Sequence, residues 1–176
     1  MVRTGVIYTL SVGALAMMAA VAVAHTKVEM RDACDSASFN AFFGQVICQD
    51  VGGDVTIDEF LSPNVLPAGH PAWDFEPSYF KIKPGERVKV INEGGEVHTF
   101  TEVTAFGGGF IPFLNNPAGG PGVPECGSDF VSNPDLVFVP SGDKQELTGP
   151  GVGIHLFQCC IHPWMRAVIK VIEKDH

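Results

Sequence analysis

Residues 157–166 read Phe-Gln-Cys-Cys-Ile-His-Pro-Trp-Met-Arg. A thiolate from Cys159 or Cys160, the imidazole of His162 and the thioether of Met165 fall together here, where a strand should give way to a loop. One strand end and a tight loop can aim all three side chains at a common point. A soft thiolate plus imidazoles, with a weakly bound thioether on the axis, is the ligand set that suits a copper ion exchanging single electrons. That set needs a second imidazole. His98 is the natural candidate, because it follows Gly94-Gly95 and opens a β-rich run, His98-Thr99-Phe100-Thr101-Glu102-Val103.

Taken singly, these residues say little. A methionine is more often core than ligand, a cysteine in such a chain is more often buried or disulfide-bonded, and one histidine opening a strand is common. Their spacing in combination carries the signal.

The elements that must position them are short and β-rich. Glycine and proline are frequent, long helical periodicity is scarce, and turn signals separate the apolar runs, which points to an all-β sandwich or barrel. Strands are predicted at 55–60, 79–82, 87–92, 98–103, 136–139, 153–159 and 166–172. Lys83-Pro84-Gly85-Glu86 is a turn with proline preset at its second position, and Asn92-Glu93-Gly94-Gly95 is a loop. A short helix is predicted around 36–46, capped by Asp35 or Ser36. Residues 105–135 form a Gly/Pro/Asn-rich insertion to which Phe106, Phe110, Ile111, Phe113 and Leu114 give packing material.

Residues 1–24 read as a signal peptide. Arg3 is the only charge before His25, an apolar Ala-rich stretch follows, and Ala22-Val23-Ala24 is the small-residue pattern of a cleavage site. The stretch is short for a membrane span, which needs about 20 apolar residues. The expected organisation is a leader at 1–24, an N-terminal extension at 25–50 and one domain at 51–176 that carries the insertion. The full chain has a formal net charge of −9. Losing Arg3 makes it more negative still, which disfavours nucleic acid and suits a partner with a basic docking surface.

The chain resembles the cupredoxins, small blue-copper proteins that include plastocyanin, azurin and amicyanin. The resemblance rests on three segments in the right order: Phe80-Lys81-Ile82-Lys83-Pro84-Gly85-Glu86-Arg87-Val88, Val97-His98-Thr99, and Cys159-x-x-His162-x-x-Met165. The last is most like the short ligand loop of amicyanin. The family likeness implies an antiparallel Greek-key β-sandwich and one type 1 copper held by His98, Cys159, His162 and Met165. It places an aromatic residue two before the ligand cysteine, a position Phe157 fills, so Cys159 is the expected ligand. It also implies that Thr99 ties the two ligand loops by a hydrogen bond. Pro163 and Trp164 should form an apolar rim around an exposed edge of His162, where electrons enter. His155 should be a core histidine, too deep for the metal.

With Cys159 as ligand, four cysteines remain for pairing in an exported protein. The expectation is Cys34–Cys48 within the extension and Cys126–Cys160 tying the insertion to the ligand loop, among three possible pairings.

The implied function is one-electron transfer between redox partners by an exported, monomeric, periplasmic or extracellular protein that is not an enzyme. A copper carrier or storage protein of the same fold, and a copper-free structural or interaction module, are the competing readings. A further alternative is that His25, freed by cleavage, chelates copper through its amine and ring. A Cys159-Cys160 dithiol is disfavoured, because vicinal cysteines on a strand form a strained disulfide.

Overall fold

The computed structural model describes residues 25–66, 68–115, 120–127 and 136–173; the leader expected at 1–24 lies outside them. Strands β1 (His25–Arg31), β2 (Asp74–Glu76), β4 (Arg87–Asn92) and β8 (Lys144–Thr148) form one sheet in the order β2-β1-β4-β8. Strands β3 (Tyr79–Ile82), β6 (Thr101–Val103), β9 (Gly153–Gln158) and β10 (Arg166–Val171) form a second, in the order β3-β10-β9-β6. A small ladder pairs β5 (His98–Thr99) with β7 (Phe138–Val139). Both sheets are mixed, since β1 runs parallel to β4 and β3 parallel to β10. The sandwich is therefore not wholly antiparallel as the resemblance implied.

Alternation explains the sandwich. Val88 and Val90 point inward from β4, Phe80 and Ile82 from β3, and Ala167, Ile169 and Val171 from β10, all into one core. Each large apolar side chain so buried contributes about 1.5–3 kcal/mol. Phe100 and Phe157 stack at 4.5 Å between ring centroids and occupy the same core.

Three expectations change. Residues 25–31 are not part of an extension but an interior strand of the first sheet, with Val28 and Met30 buried. Residues 55–60 are not a strand: Thr56 caps a helical turn, α2 (Ile57–Phe60), by accepting a hydrogen bond from Glu59 N. A capping pair of that spacing outweighs the β propensity of Val55 and Ile57. The run 98–103 is split, because Phe100 N bonds Val137 O and its ring enters the core while the chain passes from the β5–β7 ladder to the second sheet.

Helix α1 (Ser36–Phe43) starts where predicted, with Asp35 accepting from Ser38 N, and stops early at Gly44 in the left-handed conformation, φ 67°. The structure contains two disulfides, Cys34–Cys48 and Cys126–Cys160, in the pairing expected. The first ties the segment after β1 to the loop after α1. The second ties the insertion to Cys160, two residues beyond the end of β9. Among the described residues no helix is long and apolar enough to cross a membrane.

Candidate metal centre

At the end of β4, Asn92 organises the loop that delivers His98. Its Nδ2 donates to Glu96 O at 2.7 Å and Val139 O at 2.8 Å, and its Oδ1 accepts from Gly94 N at 2.9 Å. Asp32, just after β1, braces the same loop from the other side. Its carboxylate accepts from Gly95 N and Glu96 N, both at 3.0 Å, and Oδ2 lies 2.8 Å from His98 Nε2. Holding Nε2 in this way leaves His98 Nδ1 to face inward.

Inward of His98 lies the second loop, between β9 and β10. Cys159 N donates to Met165 O at 3.0 Å and Met165 N to His162 O at 2.9 Å, so the segment folds into a tight turn. Cys159 Sγ is 3.8 Å from His98 Nδ1, and His162 Nδ1 is 3.3 Å from His98 Nδ1. All three donor atoms lie within 4.8 Å of one another, and all three residues are buried. Met165 is fully buried in the core cluster that also holds Cys159. A metal ion bound about 2.0–2.3 Å from each donor fits donors spaced in this way.

The thiolate is prepared for such a role. Burial pushes the Cys159 thiol up, yet the hydrogen bonds and charges of His162 and His98 hold it well below the ordinary thiol range. Thr99 N and His162 N also point at Sγ, each at 3.4 Å. Burial likewise lowers His98, but its bonds to Asp32 and to Cys159 push it up to about 10. Asp32 is raised by burial and lowered more strongly by His98 and the loop amides, to about 2.

Thr99 links the loops: its Oγ1 accepts from Cys160 N at 2.7 Å and from Thr101 Oγ1 at 3.2 Å. Cys160 points away from the donors into its disulfide, beside Val103 and Cys126. Its carbonyl accepts from Phe110 N at 2.9 Å. A Cβ at Gly109 would run into that same carbonyl. The buried side chain of Gln158 accepts from Gly107 N at 3.1 Å and so pins the glycine run of the insertion beside the ligand loop.

Two side chains differ from expectation. His162 has no exposed edge; only 1% of its surface is accessible. Phe60, Trp73 and Trp164 surround it with ring centroids 5.5–6.3 Å away, Pro163 is buried, and Trp164 packs on Phe60 rather than forming an open rim. The cover comes from α2, from the segment leading to β2 and from Trp164 of the ligand loop itself. His155 is not a core histidine. It is half-buried, with Nδ1 2.6 Å from the exposed Glu102 and Nε2 2.8 Å from Gly151 O. His25 stands opposite Arg87 at the start of β4. Its backbone lies about 17 Å of strand from Asn92, at roughly 3.3 Å per residue.

Sequence reasoning did not find Asp32, Glu96, Trp73 or Phe60. Glu96 is buried, with Oε2 accepting from Trp73 Nε1 at 2.7 Å and lying 3.4 Å from His162 Nε2. Burial raises its carboxyl, with the His162 charge and the Trp73 bond opposing. Both imidazoles thus turn Nε2 toward a buried carboxylate and Nδ1 toward the shared centre.

No protein-family model matches this chain, and no curated protein matches it. Among solved structures it is similar to a purple cupredoxin from Nitrosopumilus maritimus, at 14% identity and a TM-score of 0.42, covering 84% of this chain and 99% of that one. It is also similar to a mutant of amicyanin in its Cu(I) form, at 17% identity and a TM-score of 0.37, covering 56% of this chain and 73% of that one. A copper-containing nitrite reductase from Thermus scotoductus matches at 19% identity and a TM-score of 0.38, over 58% of this chain but 21% of that one. At TM-scores below 0.5 none of these bears on what this chain binds or does. The fold, a two-sheet sandwich with one histidine on β5 and a Cys-x-x-His-x-x-Met loop between β9 and β10, is cupredoxin-like.

Proposed function

We propose that this chain is an exported blue-copper protein that binds one type 1 copper ion at His98, Cys159, His162 and Met165 and passes single electrons between redox partners. The observation that carries this reading is the convergence of His98 Nδ1, His162 Nδ1 and Cys159 Sγ in a buried pocket. Two imidazoles and a thiolate with a thioether nearby form a donor set that suits copper over harder ions. When bound, the ion supplies the Cu(I)/Cu(II) couple.

The protein's part is rigidity. Asp32 fixes the ring of His98, Glu96 faces that of His162, and the backbone bonds between Cys159, Met165 and His162 close the loop. Such outer partners set ligand orientation and basicity. Burial of every donor excludes water and favours retention of the ion over ready exchange, which supports an electron carrier rather than a delivery or storage protein. We read the protein as a carrier and not an enzyme, because donors buried on all sides suit electron exchange at a closed site. The disulfides suit an oxidising, extracytoplasmic compartment.

The test is a visible and paramagnetic-resonance spectrum with one equivalent of Cu(II), beside the Cys159→Ser variant. An intense thiolate-to-copper charge-transfer band with narrow hyperfine splitting, lost in the variant, is the expected result. A pale spectrum, or one the substitution leaves unchanged, overturns the reading.

A further inference from the structure

Helices α1 and α2 and the turn at 111–114 stand outside both sheets, and they enclose an apolar cleft of about 250 Å³ beside the candidate metal centre. Its floor includes Phe60, Leu114 and His162, and its rim includes Phe43, Val97 and Phe113. The rim residues are exposed, Phe113 by 58%, and Phe42, exposed by 59%, extends the surface by packing edge-on against Phe43 at 5.0 Å. Contiguous aromatic exposure of this kind marks a surface that something covers.

Charge says what kind of partner fits. From residue 32 to 80, and again from 93 to 143, the sequence holds Asp and Glu but no Lys or Arg. These stretches supply α1, α2, the 93–97 loop and the 111–114 turn, and Asp50, Asp54, Asp58 and Glu59 are exposed on them. The described cations lie on the sheets, on β1, β3, β4, β8 and β10, or in the turn between β3 and β4. Arg166, at the start of β10, sits over the Phe106 ring and donates to Pro163 O. An apolar patch on stretches that hold exposed carboxylates and no lysine or arginine is complementary to an apolar surface ringed by lysine and arginine, and is disfavoured against a second copy of itself.

We propose that this cleft face, rather than an exposed histidine edge, is the docking surface for a cationic redox protein. Its floor brings the buried His162 ring to the contact, so the appended helices move the point of approach without opening the site. The redox nature of the partner rests on the electron-transfer reading above; the docking face does not.

The experiment uses mitochondrial cytochrome c, a lysine-rich redox protein, as the probe. It is added at low salt to the ¹⁵N-labelled chain, prepared with Cu(I) and again without metal. Amide shifts should cluster at 39–47, 96–97 and 111–114, disappear at about 0.3 M salt where the Debye length is well under 10 Å, and weaken at least tenfold in Phe43→Ser and Phe113→Ser. Shifts on the sheet faces, no shifts, or salt-independent binding would overturn the proposal, as would dimerisation of the chain through the same residues. Stopped-flow oxidation of reduced cytochrome c by the Cu(II)-loaded chain should slow about tenfold in Phe113→Ser, while reduction by ascorbate is unchanged; equal rates for both proteins with cytochrome c would also count against it. Failure of the copper reading is seen separately, as absence of the charge-transfer band in every variant, while the metal-free titration still reports on docking.

Discussion

Asp32 Oδ2 lies 2.8 Å from His98 Nε2, with neither side chain exposed, although 66 residues separate them. The strand β1 delivers the carboxylate and β5 the imidazole, so the pair joins the first sheet to the metal centre. Carboxylates behind metal-bound histidines fix the tautomer and raise ligand basicity, and losing one typically costs about 10–100-fold in metal affinity. Asp32→Asn is therefore expected to weaken Cu(II) binding by at least tenfold in a chelator competition and to raise the reduction potential, because a negative charge near the oxidised ion is lost. An unchanged affinity and potential would mean that the pair only braces the loop.

The same pair makes an acid-stability prediction for the metal-free protein. Asp32 falls from an ordinary carboxylate value near 3.8 to about 2 in the folded state. Its folded value is depressed, so its contribution is complete above the unfolded value and is lost as pH falls toward 2. The size is on the order of 2 kcal/mol. Urea unfolding between pH 5 and pH 2 should show a stability slope that Asp32→Asn reduces. Parallel slopes for the two proteins would assign the acid sensitivity to other groups.

Trp73 and Glu96 form a second buried pair, at 2.7 Å, directly behind His162. Trp73→Phe keeps the aromatic body but removes the donor, leaving a buried carboxylate short of a partner. The expected cost is about 1–3 kcal/mol. Adding Glu96→Gln should recover part of it, because a neutral amide tolerates the loss better than a carboxylate. Thermal melts of the two single variants and the double variant check this; additive losses would show that the pair is not coupled.

Much of the centre was legible because its donors are local. Cys159, His162 and Met165 sit on one turn, and their order needs no tertiary knowledge. Strands β3, β4 and β10 were legible for a similar reason, since Phe80 with Ile82, Val88 with Val90, and Ala167 with Ile169 alternate cleanly. Strand β1 carries the same signal, with Val28 and Met30 inward among charged neighbours, but it lies directly after the stretch that reads as a leader and so reads as part of an extension. Strand β8 has Leu147 as its one large apolar residue, as suits a sheet edge, and gives no comparable pattern. Asp32 and Glu96 were not legible at all. Neither belongs to a spaced motif, and their partners are fixed only once β1, β4 and the ligand loop are packed together. The burial of His162 was hidden likewise, because Phe60, Trp73 and Trp164 come from three separate stretches of the chain and meet over the ring only once those stretches are packed together.

The Cys126–Cys160 disulfide closes a separation of 34 residues around the insertion. Replacing both cysteines with alanine avoids exchange with the free Cys159 and should cost about 3 kcal/mol. The backbone bond from Phe110 N to Cys160 O does not depend on the disulfide. The copper spectrum should therefore survive while limited proteolysis within the insertion accelerates. Loss of the spectrum in the double variant would show that the disulfide itself positions Cys159.

Gly69 offers a way to uncover His162 without touching a donor. Its φ is +81°, and a Cβ there would collide with the indole ring of Trp164. Gly52 has a similar φ of +86° with open space around it. Alanine at Gly52 therefore carries only the cost of the left-handed backbone, about 1 kcal/mol, whereas Gly69→Ala carries that cost and also displaces Trp164. The ring of Trp164 stands 5.5 Å from that of His162, so its displacement opens one wall of the histidine's cover. Gly69→Ala should shift tryptophan emission to the red and speed removal of copper by an external chelator about tenfold or more, while Gly52→Ala leaves both unchanged. If the two variants lose copper at the same rate, the cover over His162 does not control retention of the ion, and the rigidity of the ligand loop alone must account for it.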